Sequence, residues 1–206
     1  MTTSLPAKVL AIHAGLDAAG IDHLFGGALA LAYYTLDPRG THDIDVNVSV
    51  DAEEAPLVFA ALPAAISHDE GDLVRVRRDG QVRLWWGERP EGTPIDLFFP
   101  QHELHAAVAA GRVLQPFEGR LLPFLSATHL TVFKSLFARG KDWLDIEAML
   151  RADTVDIAEV RRWLELLMGA DDERHLGGFL TTVARAAVPE EAVPTFRQII
   201  GRSTAG

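Results

Sequence analysis

Asp43-Ile44-Asp45-Val46, placed after a Gly26-Gly27 pair and followed later by Asp96 inside Ile95-Asp96-Leu97-Phe98-Phe99, is the stretch whose reading decides the fold. Side chains alternate across a β-strand, so Asp43 and Asp45 project from one face while Ile44 and Val46 go to the other. Aspartate is a poor strand former and two like charges this close repel each other. A cation between the carboxylates removes both objections. The cation such a pair suits is Mg²⁺, which takes oxygen ligands, is commonly held by one or two carboxylates plus substrate phosphates, and clamps the attacking and leaving oxygens of a displacement at phosphorus. The stretch therefore reads as a phosphoryl or nucleotidyl transfer site. The competing reading is an edge strand that uses charge to discourage association.

Working outward, Gly26-Gly27 falls where a short buried strand, His23-Leu24-Phe25, hands over to a helix expected over 28–36. A glycine backbone there approaches a triphosphate closely, with free N–H groups at the helix start, although Gly-Gly is also ordinary turn chemistry. Asp96 lies in an apolar run, where an isolated carboxylate is costly. It serves as a metal ligand or general base, or else is a structural acid paired with one of Arg75, Arg77, Arg78 and Arg83.

Length and composition set the bounds. With 206 residues, 48% of them hydrophobic, and a mean hydropathy of +0.10, the chain has material for one core or two small ones. There is no cysteine, which removes disulfides, thiolate zinc sites and a cysteine nucleophile and fits a reducing cytoplasm. Residues 1–20 carry neither a signal-peptide pattern nor a membrane span, so a cytoplasmic location is expected. A net charge of −10 argues against a broad electrostatic grip on nucleic acid and leaves room only for a local basic patch.

The periodicity predicts a first helix over 7–19, a strand over 43–50, and a third helix from an Asp51 N-cap with Glu54 completing a capping box and Pro63 ending it. Residues 73–78 and 81–86 alternate around Asp79-Gly80 as a hairpin, placing Arg75 and Arg77 on one face of a patch suited to an RNA backbone or to edge protection. A strand over 93–99, a helix over 101–110 and extended pieces at 113–117 and 120–122 follow. Helices are expected over 128–138, 143–150, 157–168 and 173–187, and a frayed tail over 201–206. His102, Glu103 and His105 lack a further ligand at zinc-site spacing.

Gly26-Gly27, then Arg39, Thr41, Asp43 and Asp45, then Asp96 resemble the polymerase-β-like nucleotidyltransferase superfamily. The segment Lys134, Arg139, Lys141-Asp142 and Asp145 is similar to the Lys…Arg-Asp-x-x-Asp segment of AbiEii/MenT-type nucleotidyltransferase toxins, with Lys141 where arginine is more usual. The resemblance spans most of residues 26–145. It implies that Asp43, Asp45 and Asp96 hold Mg²⁺ and that Gly26, Gly27, Arg39 and Thr41 bind the nucleoside triphosphate. It further implies that Lys134 is a positive group for that triphosphate and that Asp142 orders the active site. An ordinary i, i+4 pair of Lys141 with Asp145 is the alternative for that segment.

The expectation is thus an α+β protein: a small mixed sheet flanked by helices forming a nucleotidyltransferase core over 1–122, and a helical part over 123–206 packing over the cleft. The resemblance implies a toxin that transfers a nucleoside monophosphate to RNA, at a tRNA 3′ end, with a cognate antitoxin as partner. The alternatives are a nucleotidyltransferase modifying an aminoglycoside or lincosamide antibiotic, and a non-catalytic binding module of the same fold.

Overall fold

A computed structural model describes residues 3–187; the tail expected over 201–206 lies outside them. The chain forms two compact units, Met1–Leu130 and Thr131–Gly206.

In the first unit, helix α1 (Leu5–Ala18) starts at Ser4, whose hydroxyl accepts from the Ala7 N–H, and carries Pro6 in its first turn. Strand β1 (His23–Phe25) leads through Gly26 into the short helix α2 (Gly27–Leu31) and then to β2 (Ile44–Val48). A 3-10 turn at Ala52–Glu54 and helix α3 (Ala55–Ala61) come next, followed by β3 (Ile66–Ser67), α4 (Glu70–Asp79), β4 (Gln81–Trp86) and β5 (Thr93–Phe98). Helix α5 (Leu104–Ala110) and the β6 (Val113–Phe117) and β7 (Arg120–Phe124) hairpin complete the unit, before helix α6 (Ala127–Phe137) carries the chain into the second.

The seven strands make one mixed sheet in the order β3-β4-β5-β2-β1-β7-β6. β2 is antiparallel to β1 and parallel to β5, and β5 is antiparallel to β4. Ile44, Val46, Ile95, Leu97 and Leu84 are buried on one face of these strands, the apolar side of the alternation read in the sequence. The α+β class, with a mixed sheet flanked by helices and a helical C-terminal part, is as expected.

Local differences have identifiable causes. Residues 73–78 form no hairpin strand but the body of α4. Asp69 and Asp72 close a capping box, and Gly80, at φ 62°, ends the helix left-handed. Val76 faces the core, and Arg75 and Arg77, two residues apart on a helix, do not share a face. The strand that replaces them is the two-residue β3. Asp51 does precede a helical turn, but its side chain makes no capping hydrogen bond, and the first three residues after it are 3-10. β7 continues two residues beyond the expected 122, to Phe124.

In the second unit, α7 (Gly140–Arg151), α8 (Ile157–Met168) and α9 (Leu176–Ala186) bury Ile146, Met149, Val160, Trp163, Leu164, Leu176 and Phe179. Gly178 lets α9 sit against Trp143; a Cβ at Gly178 would lie 2.8 Å from the indole Cζ2. Among the described residues, no helix is long and apolar enough to cross a membrane.

Candidate active site

The pairing of β2 with β5 puts Asp45 directly beside Asp96, and that of β4 with β5 puts Arg83 on the other side of Asp96. Residues paired across adjacent strands share a face, so Arg83, Asp96 and Asp45 form a row across three central strands, with Asp43 two residues before Asp45 on the same side. Neighbouring Ile44, Val46 and Ile95 anchor the strands from the opposite face.

Backbone contacts fix the row. The Gly26 N–H donates to the Asp45 carbonyl at 2.9 Å. Gly27 has φ 54°, and a Cβ on it would fall 1.8 Å from Asp45 Oδ2, so the carboxylate occupies the space a side chain would need. The Thr41 hydroxyl accepts from the Asp43 N–H and donates to the Asp43 carbonyl, both at 3.2 Å, which sets the entry into β2. Arg39 lies in the exposed loop just before it.

The guanidinium of Arg83 forms a two-pronged pair with Asp96, Nε to Oδ1 at 2.8 Å and Nη2 to Oδ2 at 2.6 Å, and Nη2 is 3.8 Å from Asp43 Oδ2. The hydrogen bonds it donates to Asp96 raise the guanidinium pKa further, so it is a permanent cation. Of the two roles the sequence left open for Asp96, pairing with an arginine is realised, and the partner is Arg83. The Asp96 side chain is still 17% exposed. Of the other arginines of the expected patch, Arg75 pairs with Asp72 and Arg78 with Asp79.

The donor set fits a hard divalent ion in kind: three carboxylates, all oxygen, on one face of the sheet. Among the described residues, no three His, Asp or Glu side chains converge as a preformed cage. The Asp96 fork is turned toward Arg83.

Lys134 and Asp142 belong to the second unit and form a cluster there. Lys134 Nζ donates to Asp145 Oδ2 at 2.6 Å and lies 3.6 Å from Asp142 Oδ1. Asp142 also accepts from the Arg139 N–H and from its Nε, at 3.2 and 2.6 Å. All three cluster side chains, Lys134, Asp142 and Asp145, are buried. Asp145 is thus a partner of Lys134, one helix away, which the i, i+4 spacing with Lys141 did not suggest.

The reverse face of the sheet carries a second polar group that sequence reading missed. His23 is paired with Val48 and so points away from Asp45. Its Nδ1 meets the Ile21 carbonyl at 2.8 Å, and a carbonyl only accepts, so the proton is on Nδ1. Its Nε2 therefore accepts from His13 Nδ1 at 2.9 Å. Burial, more than the neighbouring His13, lowers the His23 pKa. The i, i+10 spacing of two histidines on different elements holds no sequence signal.

At the level of sequence, no family profile and no curated protein matches the chain. Among solved structures, the fold is similar to that of ANT(2″)-Ia in complex with adenylyl-2″-tobramycin, at 13% identity over 90% of this chain and 100% of that one, with a TM-score of 0.54. An antigenic nucleotidyltransferase-like protein from Paracoccidioides brasiliensis is similar at 19% identity over 90% and 95% of the two chains, with a TM-score of 0.49. At 13% identity the likeness to ANT(2″)-Ia is one of fold alone, and nothing in the matches singles out the AbiEii/MenT type.

Proposed function

We propose that the chain is a Mg²⁺-dependent nucleotidyltransferase that moves a nucleoside monophosphate from a nucleoside triphosphate to a hydroxyl acceptor and releases pyrophosphate. The observation that carries this reading is the row Asp45 and Asp96, in register on adjacent parallel strands, with Asp43 on the same face. Asp43, Asp45 and Asp96 would hold the metal, which when bound polarises the α-phosphate and offsets its charge. Gly26 and Gly27 bring backbone, not side chain, to the start of α2, where a phosphate can approach. Arg39 and Thr41 are carried as triphosphate-binding residues by the superfamily resemblance. In the reaction, the acceptor oxygen forms a bond to the α-phosphorus, the bond to the bridging oxygen breaks, and pyrophosphate leaves with that electron pair. The hydroxyl proton passes to a carboxylate, a role that Asp96, once free of Arg83, would take.

For the acceptor, net charge favours a small, amine-bearing hydroxyl compound of the aminoglycoside kind: −10 overall attracts a cation and repels a polyanion. The arginines expected to grip RNA are divided between a helix and a strand, and three of them are paired with aspartates. A second reading rests on the Lys134 to Asp145 segment, whose resemblance to AbiEii/MenT-type toxins carries Lys134 and Asp142 as site residues. On that reading the acceptor is a tRNA 3′ end and an antitoxin is the partner. Incubating the protein with Mg²⁺ and each labelled nucleoside triphosphate, against an aminoglycoside and lincosamide panel and against total tRNA, tests both. Label on an antibiotic supports the first and label on tRNA the second. No transfer to either, with intact triphosphate binding, would favour a binding module of the same fold.

A further inference from the structure

A cation in contact with the carboxylate row is part of the chain itself. Arg83 reaches Asp96 from the neighbouring strand with both prongs of its guanidinium and stands 3.8 Å from Asp43, between two of the three acids proposed to hold metal. Its own side chain is 49% exposed, so the guanidinium has solvent on one side and room to turn away. Its stem, by contrast, is fixed in register opposite Asp96 by the β4 and β5 ladder.

A divalent ion at this face needs Asp96 oxygens that are at present committed to two charge-assisted hydrogen bonds. Arginine keeps its proton, so the guanidinium leaves Asp96 by movement of its side chain and not by loss of its own charge.

We propose that Arg83 is a built-in counter-cation: it holds Asp96 in the metal-free protein and must release it before the row accepts a divalent ion, so that Arg83 sets the metal affinity. This rests on the nucleotidyltransferase reading above. Arg83 acts through Asp96 and is a positioning residue. In the metal-free protein it offsets the repulsion among the carboxylates, and on loading a monovalent cation is exchanged for a divalent one.

Calorimetric titration with Mn²⁺, with and without ATP, on the wild-type chain and on Arg83→Gln, Arg83→Lys, Asp96→Asn and the Arg83→Gln/Asp96→Asn double variant decides it. Arg83→Gln is expected to bind Mn²⁺ about ten-fold more tightly than wild type, the size of one charge-assisted contact released. The gain should vanish in the double variant, because there is no carboxylate left to free. Arg83→Lys keeps the charge but not the two-pronged geometry, and is expected to fall between; it also serves if Arg83→Gln fails to fold. In metal-free buffer Arg83→Gln should melt below wild type, and Mn²⁺ should raise its melting temperature by more. Mn²⁺ affinity that is unchanged or weaker in both Arg83 variants, while wild type binds the ion, overturns the role of Arg83 and leaves the metal site standing. Failure of wild type and variants alike to bind Mn²⁺, even with ATP, overturns the nucleotidyltransferase reading and the proposal with it.

Discussion

Gly27 and Asp45 show how one backbone position controls the row. A Cβ at Gly27 would lie 1.8 Å from Asp45 Oδ2, and the φ of 54° is strained for any L side chain. Gly27→Ala is therefore expected to destabilise the first unit by about 1–3 kcal/mol and to lower nucleotidyl transfer by about 10²-fold through displacement of Asp45. Urea denaturation and label transfer read the two effects. Gly40→Ala, where a Cβ meets nothing within 4 Å, should leave both unchanged. Asp45→Asn should remove transfer while keeping or raising stability in metal-free buffer, since one like charge is lost from the row. A variant with wild-type turnover would count against the proposed role of Asp45. At this scale the three aspartates were legible because alternation in a strand fixes which side chains share a face. The identity of Asp96's arginine was not, because four arginines compete in the sequence and only the β4 and β5 register selects Arg83.

Among elements, α4 marks where local alternation misleads. Leu73, Val74, Arg75, Val76 and Arg77 alternate nearly as a strand, yet Val74 is exposed and Val76 is buried beside the half-buried Leu73, an i, i+3 pair. Asp69 and Asp72, three apart, were the signal to weigh more heavily, since they satisfy each other's backbone N–H groups at 3.0 Å. Asp69→Ala is expected to cost ~0.5–2 kcal/mol and to speed amide exchange selectively over 70–79. The buried cluster joining α6 to α7 carries the larger stake. Lys134→Met leaves Asp142 and Asp145 buried beside an apolar side chain, and is expected to cost about 3–5 kcal/mol in denaturant unfolding. A loss of nucleotide affinity without any loss of stability would instead favour the triphosphate role over a structural one. Helix α8 spans the expected 157–168, with Asp156 capping its start and Gly169 following its end.

For the molecule as a whole, acid is the revealing perturbation. His23 and His102 have lowered pKa values and His105 is held down to about 4, in each case chiefly by burial. The unfolded chain, with histidines near 6.5, then binds more protons than the folded one whenever the pH is below that value. Their contribution is complete above about pH 6.5 and is lost as the pH falls below that, for His105 toward about 4. Melting temperature is expected to drop from pH 7 to pH 5, and His105→Gln to drop less over the same interval, the comparison with wild type cancelling the general effect of the −10 net charge. An identical slope in both chains would remove His105 as a cause. The fold class and the carboxylate face were legible because periodicity and alternation are local. Strand order and side-chain partners were not, because they are set by pairings between distant segments.

That distance has a consequence for how the protein is made. β1, α2 and β2 lie close in the chain and pair with each other, whereas β2 meets β5 only after three further helical segments and two strands have been synthesised. A nascent chain therefore leaves the ribosome with Asp43 and Asp45 already abreast and with no opposing charge from this sheet. Arg83 and Asp96 follow together, only 13 residues apart and on adjacent strands, so the third acid arrives bringing its own cation. The β4 and β5 pair can dock beside two exposed carboxylates as a neutral couple rather than as one more negative charge, and this step of sheet assembly is spared a repulsion that grows as the strands approach.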